Sequence, residues 1–265
     1  AYEKLTQRIG AVSLLIELNH HKATLAQREG LLAHAQLIRH RAIICSKAHY
    51  TDNNPTLWRL YAEHAEIAWE SFNLAEAELY CQKALQACPS WNRDEIAPIL
   101  ITQARTQLLL GHQANAKGLL IQAQHLLTKI PNQNHPQTSL NLAFAEFHLR
   151  ENSAPELILL MDSLELPDSF CNEITQQQGR AIAICRLGSN DIEGAIALLE
   201  MMNIDANNAN LITEKWRNDI WLTLCLQKLD RHAQASIKLE QCLQLATDKS
   251  LVGSTLMAMP FFEIS

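Results

Sequence analysis

A small residue recurs about every 40 positions along this chain, and this repeat constrains the fold more than any other feature. Each copy opens a segment in which apolar residues follow helical spacing, and breaks rich in Gly, Asn or Asp precede most of the copies. A fixed period of this size indicates stacked copies of one supersecondary unit. The spacings are 42, 39, 38, 41 and 40 residues, between Ala35, Ala77, Ala116, Ala154, Ala195 and Ala235.

The clearest unit covers residues 57–89, where two helical blocks flank a polar break at residues 70–73. Alanines lie on both sides of the predicted contact, because larger side chains would push two antiparallel helices apart. Pro89 has no N–H to donate and ends the second helix. The unit resembles a tetratricopeptide repeat, although Tyr61 and His64 stand where that family usually has Trp and Leu.

The composition agrees with packed helices. Hydrophobic residues make up 48% of the 265 residues but aromatic residues only 6%, so Leu, Ala and Ile provide the core. No change in composition divides the chain into halves. We therefore predict an all-α fold in which residues 1–265 form one domain. It would contain about six antiparallel helical hairpins in a right-handed tetratricopeptide-like superhelix, an α-solenoid.

Several classes of function are disfavoured by the sequence. A net charge of −6 argues against direct contact with nucleic acid in this segment, and no apolar run reaches the roughly 18 residues of a membrane span. The phosphate-binding, zinc and nucleophile motifs of common enzymes do not occur, so we predict neither catalytic residues nor a cofactor. Seven cysteines without a CxxC pair predict buried free thiols and a cytoplasmic protein.

Two sets of polar residues favour a structural interpretation. His20 and His21 are adjacent, and other histidines do not have the i,i+4 spacing that brings two imidazoles together, so we predict no metal site. Glu63, Glu66 and Glu70 form a helical stripe that could support acid–base chemistry. Such stripes are more typical of solvated helix faces, and we predict one here.

In tetratricopeptide-like arrays the first helices of successive hairpins line the concave face, and this frame places about one Arg per repeat there. Two interpretations of these arginines remain open. They could pair with glutamates across the groove, or they could bind an anionic or polyhydroxylated ligand through forked donors beside a stacking indole. The candidate ligand-binding residues are Arg59, Glu66, Trp69, Arg105, Arg180 and Arg217.

Four short motifs and the long period look like the sensor domain of MalT-like regulators of the LuxR family. The motifs are the Leu-Gly turns at 110–116 and 187–195, Lys-Trp-Arg-Asn at 215–218, and residues 239–246. In that family a nucleotide-binding switch domain precedes the helical array and a DNA-binding helix-turn-helix follows it. The resemblance therefore implies a regulatory module that is part of a longer regulator.

Two functions are compatible with this resemblance and with the repeat. In the first, a small-molecule inducer or a regulatory protein binds in the groove and favours an oligomeric, transcription-activating state of the parent regulator. The alternative is a stand-alone scaffold that holds an extended peptide or helix. The apolar tail at residues 251–262 resembles the first helix of a further hairpin, and we expect it to fray or to mediate self-association.

Overall fold

The computed structural model describes residues 12–49, 57–89, 93–128, 134–249 and 252–258, and all regular structure in these ranges is helical. Twelve of the thirteen described helices form six hairpins, which confirms the predicted all-α solenoid. The hairpins are α1 (Val12–Arg28) with α2 (Leu32–His49), α3 (Leu57–Glu70) with α4 (Leu74–Ala87), α5 (Arg93–Leu109) with α6 (Gln113–Leu127), α7 (Asn134–Arg150) with α8 (Ala154–Asp162), α9 (Glu173–Gly188) with α10 (Ile192–Asn208), and α11 (Ile212–Lys228) with α12 (His232–Lys249). Helix α13 (Gly253–Ala258) follows them.

Each hairpin turn contains one residue in the left-handed region, which stops the first helix and lets the chain reverse. Gly30 and Gly111 adopt this conformation without a steric penalty, with φ of 73° and 81°. The turn of the second hairpin uses Phe72 at φ 58° instead. In the other three hairpins the residues are Asn152, Asn190 and Asp230, at the breaks that the sequence predicts.

Small side chains make the close approach within each hairpin possible. Ala65 and Ala68 of α3 and Ala77 and Ala84 of α4 are completely buried, as the pattern of residues 57–89 predicts. The cysteines of the described chain are free, and all except the partly exposed Cys45 and the exposed Cys171 are buried. They pack as small apolar residues.

The fourth hairpin departs from the repeat. Its second helix, α8, has only nine residues, and residues 163–172 then run without a helix to the start of α9. Phe170 in this connection is 1% exposed and belongs to the core cluster that includes Met202 of α10. The backbone N–H of Phe170 donates to Asp205 in α10 at 2.9 Å, which holds the connection against the fifth hairpin.

The six hairpins complete one turn of a ring, so that the first hairpin meets the sixth. The Thr213 hydroxyl at the start of α11 donates to the backbone carbonyl of Arg28 in α1 at 2.9 Å. The Arg28 side chain also pairs with Glu173 of α9 at 2.6 Å. This closure makes the concave side a partly open cavity that residues of the first and sixth hairpins line together.

Helix α13 lies inside this ring against α3 and α11, not on the outside of the sixth hairpin. Met257 is 1% exposed and packs in the core of the second, third and fourth hairpins. For residues 252–258, the expectation of an unpartnered apolar tail is therefore wrong, because the ring brings distant repeats within reach. Leu251 and residues 259–262 of the predicted tail lie outside the described residues. Among the described helices, none is long and apolar enough to cross a membrane.

Candidate functional site

The concave side of the ring holds a partly open cavity of about 370 Å³ that is lined by the first helix of every hairpin and by Arg39 of α2. A smaller chamber of about 40 Å³ adjoins it and extends to Ser254 of α13. The two spaces share five residues, Glu66, Trp69, Arg105, Gln177 and Arg217. Of the six residues that the sequence predicts for ligand binding, five line the main cavity, namely Arg59, Glu66, Trp69, Arg105 and Arg217. Arg180 lines only the smaller chamber.

Arg105 of α5 pairs with the neighbouring repeat. Its Nε and one terminal nitrogen donate to the two carboxylate oxygens of Glu146 in α7, at 2.9 and 3.1 Å. This forked geometry is among the stronger ion-pair arrangements in proteins. The guanidinium also lies over the ring of Trp69, 5.3 Å from its centroid. Arg105 thus joins the second, third and fourth hairpins along the cavity wall.

Arg180 and Arg217 form a second, more deeply buried cluster. Arg180 is 3% exposed and donates to Glu214 at 2.6 Å and to Asn218 at 3.0 Å. Arg217 donates to the other oxygen of Glu214 at 2.6 Å and to Glu70 of α3 at 3.0 Å. The glutamate pairing that the sequence left open is therefore present for these arginines.

The charges in this cluster stabilise one another. Burial lowers the pKa of Arg217, but Glu214, Glu70 and Glu66 outweigh that effect and hold the pKa above its usual value. Burial would raise the pKa of Glu214, yet Arg180 and Arg217 hold it below the usual carboxyl range. Arg217 and Glu214 are consequently charged at neutral pH, and the hydrogen bonds of the cluster tie α9, α11 and α3 together.

Glu66 is the exception among the cavity carboxylates. It makes no hydrogen bond or ion pair with any residue that the structure describes, and its side chain is accessible from the cavity. The side chain is exposed to the cavity, and the surrounding protein raises its pKa by partial desolvation against the opposing influence of Arg217 and Arg39. The indole Nε1 of Trp69, one turn further along α3, is buried and also lacks a partner among the described residues. This part of the wall has unused hydrogen-bonding capacity.

The cavity is also lined by residues that the sequence did not assign to binding, among them His20, Arg39 and Glu63. The Arg39 guanidinium, only 2% exposed, donates to the Glu63 carboxylate, and His20 Nδ1 lies 2.9 Å from the same carboxylate. Arg39 interrupts the apolar pattern of α2, and that interruption was the available signal. The prediction of a solvated stripe is wrong for Glu63 and for Glu70, which is 1% exposed, because both carboxylates point into the ring and pair with arginines.

The cavity offers no evident metal centre. No group of three or more His, Cys, Asp or Glu side chains with suitable geometry occurs among the described residues. His20, the histidine of the adjacent pair that faces the cavity, shares its carboxylate with Arg39, and a cation there would meet a guanidinium at close range. The arrangement is suited to hydrogen bonding of an organic ligand.

Comparison with known proteins agrees with this architecture. The family model of the MalT-like TPR region matches residues 1–254. The HTH-type transcriptional regulator MalT of Vibrio cholerae serotype O1 is 26% identical over 196 residues, which are 73% of this chain and 21% of that protein. The MalT protein of Vibrio campbellii is 22% identical over 192 residues, with coverage of 72% and 21%. The chain thus spans about a fifth of the length of these relatives. Because the family model covers nearly all of it, the chain belongs to the MalT-like TPR region family.

Proposed function

We propose that residues 1–265 are the ligand-sensing repeat domain of a MalT-like LuxR-family transcriptional activator, and that occupation of the central cavity controls oligomerisation of the parent regulator. The unpaired Glu66 in a cavity lined by all six hairpins is the observation that carries this proposal. The relatives are named as transcriptional regulators, which supports a regulatory role in the cytoplasm. Contact with DNA would then be made elsewhere in the parent protein.

The size and closure of the cavity favour a small molecule over a peptide. A volume of about 370 Å³ falls at the lower end of the range typical of small-molecule sites. The contact between Thr213 and α1 closes the groove that an extended peptide or helix would need to follow. A stand-alone scaffold would require this contact to open, so the first hypothesis has the stronger support.

The charges favour a neutral, hydroxyl-rich ligand over an anionic one. Arg105, Arg180 and Arg217 already donate to carboxylates, and an anion would have to displace one of them. Glu66 accepts hydrogen bonds and repels negative charge, while Trp69 adds an apolar wall. A ligand that covers Glu66 and the buried indole N–H of Trp69 must satisfy both groups, which favours a molecule rich in hydroxyls.

The proposal is tested by a thermal-shift screen of sugars, organic acids and nucleotides against the purified chain. Compounds that stabilise the chain are then titrated by calorimetry. A ligand at 100 times its Kd should add about 2.7 kcal/mol to the stability. Glu66→Ala should weaken its binding by about tenfold or more, the loss of about one charge-assisted hydrogen bond. Glu17→Ala, on the exposed face of α1, is the matched control and should leave the Kd unchanged.

Two results would contradict the proposal. Binding that survives Glu66→Ala unchanged would place the ligand outside the cavity. If no small molecule binds and an extended peptide binds tightly, the scaffold hypothesis is favoured. With a ligand identified, sedimentation of the parent regulator should show larger assemblies in its presence, and an unchanged distribution would refute control of oligomerisation.

A further inference from the structure

The start of helix α13 is hydrogen-bonded to one residue of α3, Glu70. The backbone carbonyl of Glu70 accepts from the N–H of Val252 at 2.8 Å. Its two carboxylate oxygens accept from the N–H and the hydroxyl of Ser254, at 3.1 and 2.8 Å. On the other side, Arg150 of α7 donates to the carbonyl of Leu256 at 3.1 Å. The helix therefore bridges the second and fourth hairpins.

The approach of α13 to α3 is unusually close. A Cβ on Gly253 would lie 2.4 Å from the carbonyl oxygen of Trp69 and 2.9 Å from Cα of Glu70. Both are backbone atoms and cannot rotate away, so this position requires glycine. Gly253 and Ala258 are buried, which indicates that the docked helix is part of the packed interior.

A continuous series of hydrogen bonds runs from the fifth hairpin to α13. Gln176 of α9 accepts from Asn218 of α11, which accepts from Arg180, and Arg180 donates to Glu214. Arg217 then connects Glu214 to Glu70, the residue that binds α13. The last connection crosses from the sixth hairpin to the second.

We propose that α13 is an internal latch of the ring, so that the docking of α13 and the meeting of the first and sixth hairpins are a single coupled transition. Docking needs α3 and α11 side by side, because Arg217 of α11 neutralises the buried Glu70. The contact of Thr213 with α1 requires the same closed arrangement. Each contact therefore stabilises the other, and by thermodynamic linkage the effect is reciprocal.

This inference depends on the geometry of the ring and not on any ligand. If the proposed function also holds, a molecule that touches the first and sixth hairpins would favour the closed ring and so tighten α13. The tests below are made without ligand, so a failed ligand search and a failed latch are distinguishable.

Hydrogen–deuterium exchange in the whole chain reports docking directly when it is read from peptides that contain residues 252–258. Gly253→Ala should increase exchange there by about tenfold or more, which corresponds to about 1.4 kcal/mol. Gly118→Ala in α6 is the matched control, since a Cβ at Gly118 meets nothing within 4 Å. If circular dichroism shows that Gly253→Ala does not fold, Ser254→Ala replaces it. Exchange at residues 252–258 should then increase by about threefold.

Thr213→Val tests the coupling at a distance. It keeps the shape of the side chain but removes the hydroxyl that donates to α1. We expect exchange at residues 252–258 to rise by at least about threefold in this variant. Exchange equal to that of the wild type would show that ring closure and docking are independent, and the proposal would be wrong.

Small-angle X-ray scattering provides the reverse test. Gly253→Ala, or Ser254→Ala in its place, should increase the radius of gyration relative to wild type and to Gly118→Ala, because the ring opens when the latch leaves. A variant with fast exchange at residues 252–258 and an unchanged radius of gyration would also overturn the proposal.

Discussion

Replacing Arg180 by alanine should separate a structural arginine from a ligand-binding one. Arg180 is 3% exposed and donates to Glu214 and Asn218, both of which are buried. With Arg217, Glu214 and Glu70 it forms a cluster of two positive and two negative groups. The substitution leaves this buried cluster with one uncompensated negative charge and leaves the Asn218 oxygen without its donor.

The expected loss of stability is large. Removing one partner of a buried ion pair typically costs about 3–5 kcal/mol, and an unsatisfied buried acceptor accounts for about 1–3 kcal/mol of such losses. Glu214 keeps its contact with Arg217 at 2.6 Å, so we expect the total for Arg180→Ala to stay within about 3–5 kcal/mol. In a domain of this size each kcal/mol lowers the Tm by about 2–4 °C, which gives a decrease of about 6–20 °C.

Thermal unfolding followed by circular dichroism at 222 nm measures this effect, with two arginines of the same concave face as graded controls. Arg105→Ala should cost about 1.5–3 kcal/mol, because its ion pair with Glu146 is partly solvated. Arg59→Ala should cost less than about 1 kcal/mol, since its side chain is 51% exposed. The double variant Arg180→Ala/Glu214→Gln, which restores charge balance, should be more stable than Arg180→Ala. Equal losses for the three single variants would refute the assignment of Arg180 to structure.

Two further predictions follow from particular residues. Because burial raises the pKa of Glu66, the folded chain binds this proton more tightly than the unfolded chain. Stability should therefore fall as pH rises from the ordinary carboxyl pKa of 4.5 through the raised value. Measurements of Tm across pH should show that Glu66→Gln removes this fall and that Glu17→Gln does not. Ala84→Leu should overpack the second hairpin and lower the free energy of unfolding, measured by chemical denaturation, by about 1–3 kcal/mol. Gln82→Leu on the exposed face should change this free energy little. Equal losses for the two variants would refute the helical frame.

The repeat architecture was predictable because its signals are local and recur. The alanines at the hairpin contacts and the left-handed turn residues mark the same six units in sequence and in structure. Pro155, in the first turn of α8, also indicated that the fourth hairpin departs from the repeat. Where tertiary packing overrides such a pattern, as in the inward position of Arg39, the sequence indicates only that the repeat is interrupted.

The closure of the ring could not be predicted from the same signals. Whether the first hairpin meets the sixth depends on small rotations between successive repeats, which accumulate along the array and leave no mark in any one unit. The position of α13 follows from that closure. The tail looked like an unpartnered helix because the sequence shows only the neighbouring hairpin, whereas two further partners, α3 and α7, lie over a hundred residues earlier.

The concave arginines show why a charged groove is weak evidence for a ligand. Six residues were assigned to binding from their position on the first helices, but an inward guanidinium in a closed ring must be neutralised whether or not a ligand exists. Glutamates of adjacent or opposite repeats neutralise Arg105, Arg180 and Arg217. The informative group is the one that the fold leaves unpaired. Among the cavity residues that the structure describes, Glu66 and the Trp69 indole N–H are such groups, and a ligand that satisfies them would gain hydrogen bonds that the protein alone does not make.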